Sequence, residues 1–283
     1  MATQIVLNTL SLAMFYILIA SGLSILLASV KIFTFAHGTM YMLGGFGIYT
    51  LFVQLHVPYL LGASLAVGIV GLIGVMINRI FLMPVRKTFL VMVNLTIGLT
   101  MVIEGSVAIY YGAIQKYFPS VVTGLFHIGG ATISLERLIM VTSAALLMGA
   151  LFVILYSTKL GRAIRAVGEN EEAARLQGIN PDRISTWAMF IGSSYAGVAG
   201  VVIAPLFATI DPYMGTAPMI KAVMIIMLGG LGSLPGCIVA GFILGGLDSI
   251  VGTLYGSSLA SIIGFAMIIF LMVIRPGGLL GHE

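Results

Sequence analysis

Charged side chains are so sparse in this chain that it is best read by marking them and measuring the apolar gaps between. Residues 1–30 carry none. This stretch lacks the basic start of a signal peptide, and its apolar run is too long for one, so it is expected to be a retained span. A spanning helix needs about 20 largely apolar residues. The gap from Lys31 to Arg79 holds two such spans, separated near His56-Val57-Pro58. A fourth is expected at about 89–111, with Glu104 inside it, and a fifth at about 138–156. The only long charged stretch, 159–183, follows. Four more apolar segments lie at about 185–207, 218–234, 237–255 and 258–274. The pattern predicts an all-α, polytopic integral membrane protein with about eight to nine transmembrane helices. It forms one transmembrane domain over 1–283, with a loop at 159–183 outside the bilayer.

Composition agrees. Hydrophobic residues make up 60% of the 283 and charged residues 8%, against roughly 45–50% and about 25% in soluble domains. So few charges cannot cover a soluble surface, which excludes an ordinary cytosolic enzyme, a disordered chain and a secreted disulfide scaffold. The single cysteine, Cys237, rules out an internal disulfide and a cysteine-built metal site. A net charge of +4, carried by scattered residues, does not suggest nucleic-acid binding. Glycine is abundant, at 36 residues. Gly192, Ala196 and Gly200, and Gly241 with Gly245, have the four-residue spacing of helix-packing faces.

Alternating the nine segments puts Lys31, Arg79, Arg86, Lys87, Lys159, Arg162, Arg165, Arg175, Arg183 and Arg275 on one side. Lys116, Arg137 and Lys221 fall on the other side or within a span. Lys and Arg accumulate on the cytoplasmic side. The N-terminus is therefore expected outside and the C-terminus inside. The segment 218–234 carries the risk: if it does not fully cross, the parity after it changes.

The loop reads KLGRAIRAVGENEEAARLQGINPDR. Asn170 suits the cap of a short helix of about eight residues, with Glu171 and Glu172 in the first turn, where the helix dipole favours negative charge. Glu171 and Arg175 stand at i,i+4 and can pair. Gly178 suits the position just past the end. Asn180-Pro181-Asp182 starts the next helix. Ala173, Ala174, Leu176 and Ile179 give the short helix a modest apolar face. Local chemistry leaves two readings: a capped connector that reorients the chain, or a docking element.

Glu172-Ala173-Ala174, three residues and then Gly178 resemble the EAA loop of ABC importer permeases, although no I-x-L-P follows Gly178 as in the wider pattern. Phe35-Ala36-His37-Gly38, Pro84-Val85-Arg86, Leu160-Gly161-Arg162-Ala163, Gly178-Ile179-Asn180, Gly229 to Gly236 and Pro276-Gly277-Gly278-Leu279-Leu280-Gly281 are similar, in order and spacing, to the branched-chain amino-acid importer permeases, LivH-type. The resemblance implies that Glu171, Glu172, Ala173, Ala174, Leu176, Gly178 and Ile179 couple to an ATPase. It implies as partners two ABC ATPase subunits, a second, LivM-like permease and an extracytoplasmic solute-binding protein, in the cytoplasmic membrane of a bacterium or archaeon. Branched-chain amino acids are the implied cargo, with other amino acids, urea and short amides left open. This chain would hold no cofactor, since ATP and Mg²⁺ would sit on the partner ATPase. It has no G-x-x-x-x-G-K-[ST] phosphate loop of its own.

Two segments, 35–47 and 213–236, are rich in small residues and share a string, Met42-Leu43-Gly44-Gly45-Phe46-Gly47 and Met227-Leu228-Gly229-Gly230-Leu231-Gly232. Paired interruptions of this kind point to an internal inverted repeat built on discontinuous helices, and to the pathway. The candidate pathway residues are His37, Gly38, Gly44, Gly45, Glu104, Gly229, Gly230, Ser233 and Asp248. His37 equally suits a packing role. Glu104 and Asp248 suit structural roles inside the bundle as well as transport. A self-sufficient secondary transporter or channel would have only Glu104, Asp248 and Lys221 to work with, and would leave the loop helix without a purpose. An intramembrane enzyme finds no HExxH or G-x-S-x-G.

Overall fold

The computed structural model describes residues 2–30, 33–86, 88–128, 131–275 and 277–280. Lys31, Lys87, Pro276 and Gly281, used above, lie outside the described residues. The first helix, α1 (Ala2–Val30), is followed by α2 (Ala36–Ile48), which widens into a π-helical stretch over Tyr49–Gln54. Next come α3 (Tyr59–Ile77), a second π stretch over Asn78–Leu82, α4 (Met83–Val85) and α5 (Phe89–Tyr111). Short strands β1 (Lys116–Tyr117), β2 (Leu125–Ile128) and β3 (Ala131–Ser134) precede α6 (Leu135–Ser157), α7 (Lys159–Glu169), α8 (Glu171–Leu176) and α9 (Pro181–Phe207). Then follow β4 (Thr209–Ile210), α10 (Thr216–Gly229), α11 (Leu234–Tyr255) and α12 (Ser257–Ile274). β1 pairs antiparallel with β4, and β2 with β3.

Local chemistry sets several helix starts. The side chains of Ser134, Thr158, Asn180 and Ser233 each accept a first-turn N–H, at α6, α7, α9 and α11. Pro181 and Pro235 occupy first-turn positions, where a missing N–H costs nothing.

Among the described residues, seven helices are long and apolar enough to cross a membrane. Two further apolar segments are built differently. α10 has 14 residues, or about 21 Å, against a hydrocarbon core of about 30 Å. The segment expected to span at 218–234 therefore does not cross as a helix. Residues 211–215, a run of turns, join β4 to α10. α2 begins inside the bundle as well. His37 Nε2 lies 3.0 Å from Ile19 O, and Gly22 backs onto the His37 ring. These residues are 8–11 positions from the end of α1, or about 12–16 Å along its axis.

The starts of α2 and α10 touch. A Cβ on Gly38 would stand 2.7 Å from Gly215 O, and one on Gly215 would collide with Gly38 O. From that point the helices run to opposite ends. α2 leads to the strand end, where Thr50 Oγ1 lies 2.5 Å from Tyr111 OH. α10 leads to the loop end, where Gly232 packs on Ala28 and Gly168 on the same Ala28 backbone.

The halves interlock. α1 and α9 cross with Gly22 and Gly192 face to face, the ideal Cβ of each within 2.6–2.7 Å of the other's carbonyl oxygen. α1 packs on α10 and α11 of the second half, and α9 packs on α2 and α3 of the first. Gly200 meets Tyr41 O, Gly245 meets Ala13 and Gly241 meets Ile17. The small-residue stripes are thus packing seams. Gly38 is the third residue of α2, and Gly215 immediately precedes α10. The shared Met-Leu-Gly-Gly string occupies two different settings: it lies inside α2 in one half and runs past the end of α10 in the other.

Candidate functional site

At the loop end, Asn170 Oδ1 accepts the Ala173 N–H at 3.0 Å and starts α8. The helix is six residues long, shorter than expected, because Gly178 takes φ +82° and turns the chain out. Gly178 N–H donates to Arg175 O at 2.9 Å, and Ile179 N–H to Ala174 O at 3.0 Å. This is a Schellman closure, which needs a left-handed residue and favours glycine. Glu171 Oε1 accepts from Arg175 Nη2 and from Arg86 Nη2, both at 3.0 Å. Arg86 Nη1 also pairs with Asp182 Oδ1 at 2.9 Å. One arginine, 18% exposed, thus ties the end of the α3–α4 segment to both flanks of the α8 turn.

The seven loop residues divide by what they touch. Glu171 and the buried Ala174 hold the helix to the body, the half-buried Ile179 packs on the core, and Gly178 shapes the turn. Glu172 and Ala173 are exposed, and Leu176 is 90% exposed. An apolar side chain this exposed, on a capped and clamped helix, offers a rigid knob to another protein. Arg86 was visible in the sequence as part of a motif, but its role as a clamp depends on residues 85 and 96 positions away.

The second candidate region is a cavity of about 480 Å³ at the meeting point of α2 and α10. Gly38, Thr39, Gly215 and Thr216 line it at the two helix starts, Thr100 and Glu104 from α5, and apolar residues of α10 and α12 close it. Phe35 N–H donates to Thr96 Oγ1 at 3.3 Å, which sets the start of α2 against α5.

The cavity brings together only Gly38 and Glu104 of the nine candidate pathway residues. His37 hydrogen-bonds to α1 behind it. Gly44 presses on Gly197, and a Cβ on Gly45 would stand 2.9 Å from Met214 Cε. Gly229 packs on Gly236, Gly230 ends α10 with φ +105°, and Ser233 caps α11 through Gly236 N–H. Asp248 Oδ2 accepts from Tyr16 OH at 2.6 Å and from Lys221 Nζ at 2.7 Å. Lys221, which could have reached for the membrane surface, is instead bound inside the bundle. Gly215 and Thr216 escaped sequence reading because nothing local distinguishes the glycine that starts α10 from its neighbours.

The pattern of the family described as "Branched-chain amino acid transport system / permease component" matches residues 5–272. The chain belongs to this family. The permease is 30% identical over 293 aligned positions to the high-affinity branched-chain amino acid transport system permease protein LivH of Escherichia coli, covering 97% of this chain and 94% of the relative. It is 29% identical to the corresponding protein BraD of Pseudomonas aeruginosa, covering 99% and 95%. The ribose import permease protein RbsC of Escherichia coli is 30% identical over a shorter stretch, 65% of this chain and 58% of the relative. No solved structure matches. The permease is thus a multi-pass membrane component of an ABC importer, a class that works with ATPase and membrane partners, and not an enzyme.

Proposed function

We propose that this permease carries branched-chain amino acids into the cell, driven by two ATPase subunits that dock on α8. The observation that carries the reading is the exposed Leu176 on a helix locked by the Asn170 cap, the Gly178 closure and the Arg86 clamp, in a chain of this family. The chain acts as one transmembrane domain over 1–283, with 159–183 as its coupling loop. A second, related permease completes the route, and an extracytoplasmic binding protein delivers the cargo at the strand end. Co-expression with the ATPase, partner permease and binding protein of its own system is expected to yield one complex whose proteoliposomes take up leucine, isoleucine and valine when ATP is present. Uptake of urea or a short amide in their place would overturn the cargo. Failure of any ATPase to bind would overturn the coupling.

The proposed orientation places the loop end in the cytoplasm. Arg79, Arg86, Arg162, Arg165, Arg175, Arg183 and Arg275 belong to that end, whereas Lys116 and Arg137 lie at the strand end. The asymmetry supports an inside loop. The descending residues 211–215 together with α10 supply the crossing that a short helix alone would miss, so the N-terminus is outside and the C-terminus inside. Cysteines at Arg175 and Ser257, introduced singly in a Cys237→Ala background, are expected to react with a membrane-impermeant reagent from opposite sides. Labelling from one side would overturn the proposed path through 211–229.

A further inference from the structure

We propose that the cavity between α2 and α10 is a way-station for a zwitterion: the two helix starts face its carboxylate, Glu104 its ammonium, and the apolar wall its side chain. The inference rests on the amino-acid reading above and adds the residues that hold the solute.

Two helix N-termini converging on one point are unusual, because each carries a partial positive charge of about half a unit. Here they approach so closely that neither Gly38 nor Gly215 has room for a Cβ. α10 follows Gly215 without a capping side chain and its third residue is Pro218, which has no N–H; Thr216 N–H donates to Tyr213 O at 3.2 Å, so the Ala217 N–H is the donor that α10 offers. At α2 the first three N–H groups are all taken, Ala36 by Thr34 Oγ1 at 3.2 Å, His37 by Thr34 O at 3.4 Å and Gly38 by Phe35 O at 3.3 Å, so that helix contributes only its dipole. Positive potential inside a membrane protein calls for an anion.

Glu104 is the independent observation. It lines the same cavity and is 9% exposed. Among the described residues it takes no hydrogen bond and no ion pair. Asp248, the other buried acid, is matched by Lys221 and Tyr16. A carboxylate at this depth needs a cation or a polar partner, and the chain supplies neither. Glu104 stands two turns past Thr96, the residue that anchors the start of α2. The cavity therefore has two helix starts at one end and an acid at the other. The walls between are Ile97, Met219, Val223 and Ile268. Its volume lies in the range of about 300–1,000 Å³ typical of small-molecule sites. A lipid tail would satisfy the walls and leave both charges unmet.

The test uses the whole importer in proteoliposomes, with leucine delivered by its binding protein. The readouts are leucine transported per ATP hydrolysed and the yield of assembled complex. Glu104→Gln is expected to lower that ratio by roughly tenfold or more, the worth of one charge-assisted contact, with complex recovered at the wild-type yield. Glu104→Asp is expected to retain most of it. Thr216 is exposed at the cavity edge, and Thr216→Cys in a Cys237→Ala background gives a second measurement. Leucine is expected to slow its modification by a small thiol reagent, and Glu104→Gln to remove that protection. A wild-type ratio in Glu104→Gln would overturn the proposal, as would a Thr216→Cys thiol that leucine does not protect. If the wild-type complex carried none of the three amino acids, the cargo reading would fail first and take this inference with it.

Discussion

Replacing Leu176 with aspartate is expected to lower ATP-driven uptake roughly thirty-fold while the permease stays inserted at normal abundance. Nothing within the chain depends on this side chain, which is 90% exposed, and surface changes of that kind alter stability by about 0.5 kcal/mol or less. Its apolar surface matters only when another protein covers it. A central apolar anchor in an interface costs about 2 kcal/mol or more when lost, which corresponds to roughly thirty-fold in affinity. A buried aspartate adds an unpaired charge to that loss. Uptake in proteoliposomes and recovery of the ATPase on affinity purification measure the two sides of the effect. Normal values for both would reduce α8 to a connector.

Asp248→Ala is expected to have the largest effect on stability. The Lys221 and Asp248 side chains are 15% and 10% exposed, so the mutation leaves an ammonium buried without its partner. Breaking a buried pair in this way costs about 3–5 kcal/mol, a large share of the about 5–15 kcal/mol that holds a typical domain. Abundance in the membrane and the melting temperature in detergent should both fall. The double variant Lys221→Met/Asp248→Leu removes both charges and should recover most of the loss, since apolar replacement of a whole pair is often neutral. Equal losses in the single and double variants would show that the ion pair is not what stabilises this region.

Much of the architecture was legible because a bilayer imposes a length. Gaps between charges located α1, α3, α5, α6, α9, α11 and α12 to within a few residues. The same rule failed at 218–234, because a run of turns plus a short helix covers the same number of residues as a plain span. Hydropathy counts residues, not rise per residue. The re-entry points Gly38 and Gly215 are set by contact between segments about 177 positions apart, and only their partner distinguishes them from the other glycines. The shared Met-Leu-Gly-Gly string falls in two different settings, inside α2 and across the end of α10, so it did not locate the meeting point of those helices. The loop was read more fully. Its caps, its ion pair and its closing glycine are all local, and only Arg86 reaches it from elsewhere. The pairing of β2 with β3 had no periodic signal in so short a stretch.

The interlocking of the two halves has a consequence for how the permease is made. α1 leaves the ribosome before α11, so Tyr16 finds its partner Asp248 only 232 residues later, and Ile5 O waits 244 residues for the Ser249 hydroxyl. At about 5–20 residues per second, that is a delay of about 12–50 s. During this time the small-residue seams of α1 stand open, because α9, α10 and α11 have not been synthesised. Neither half can close its own interior, since each central helix is packed mainly by the other half. Assembly is therefore a late event that follows insertion of α11. A chain stopped after α6 would be correctly threaded through the bilayer and still have no core.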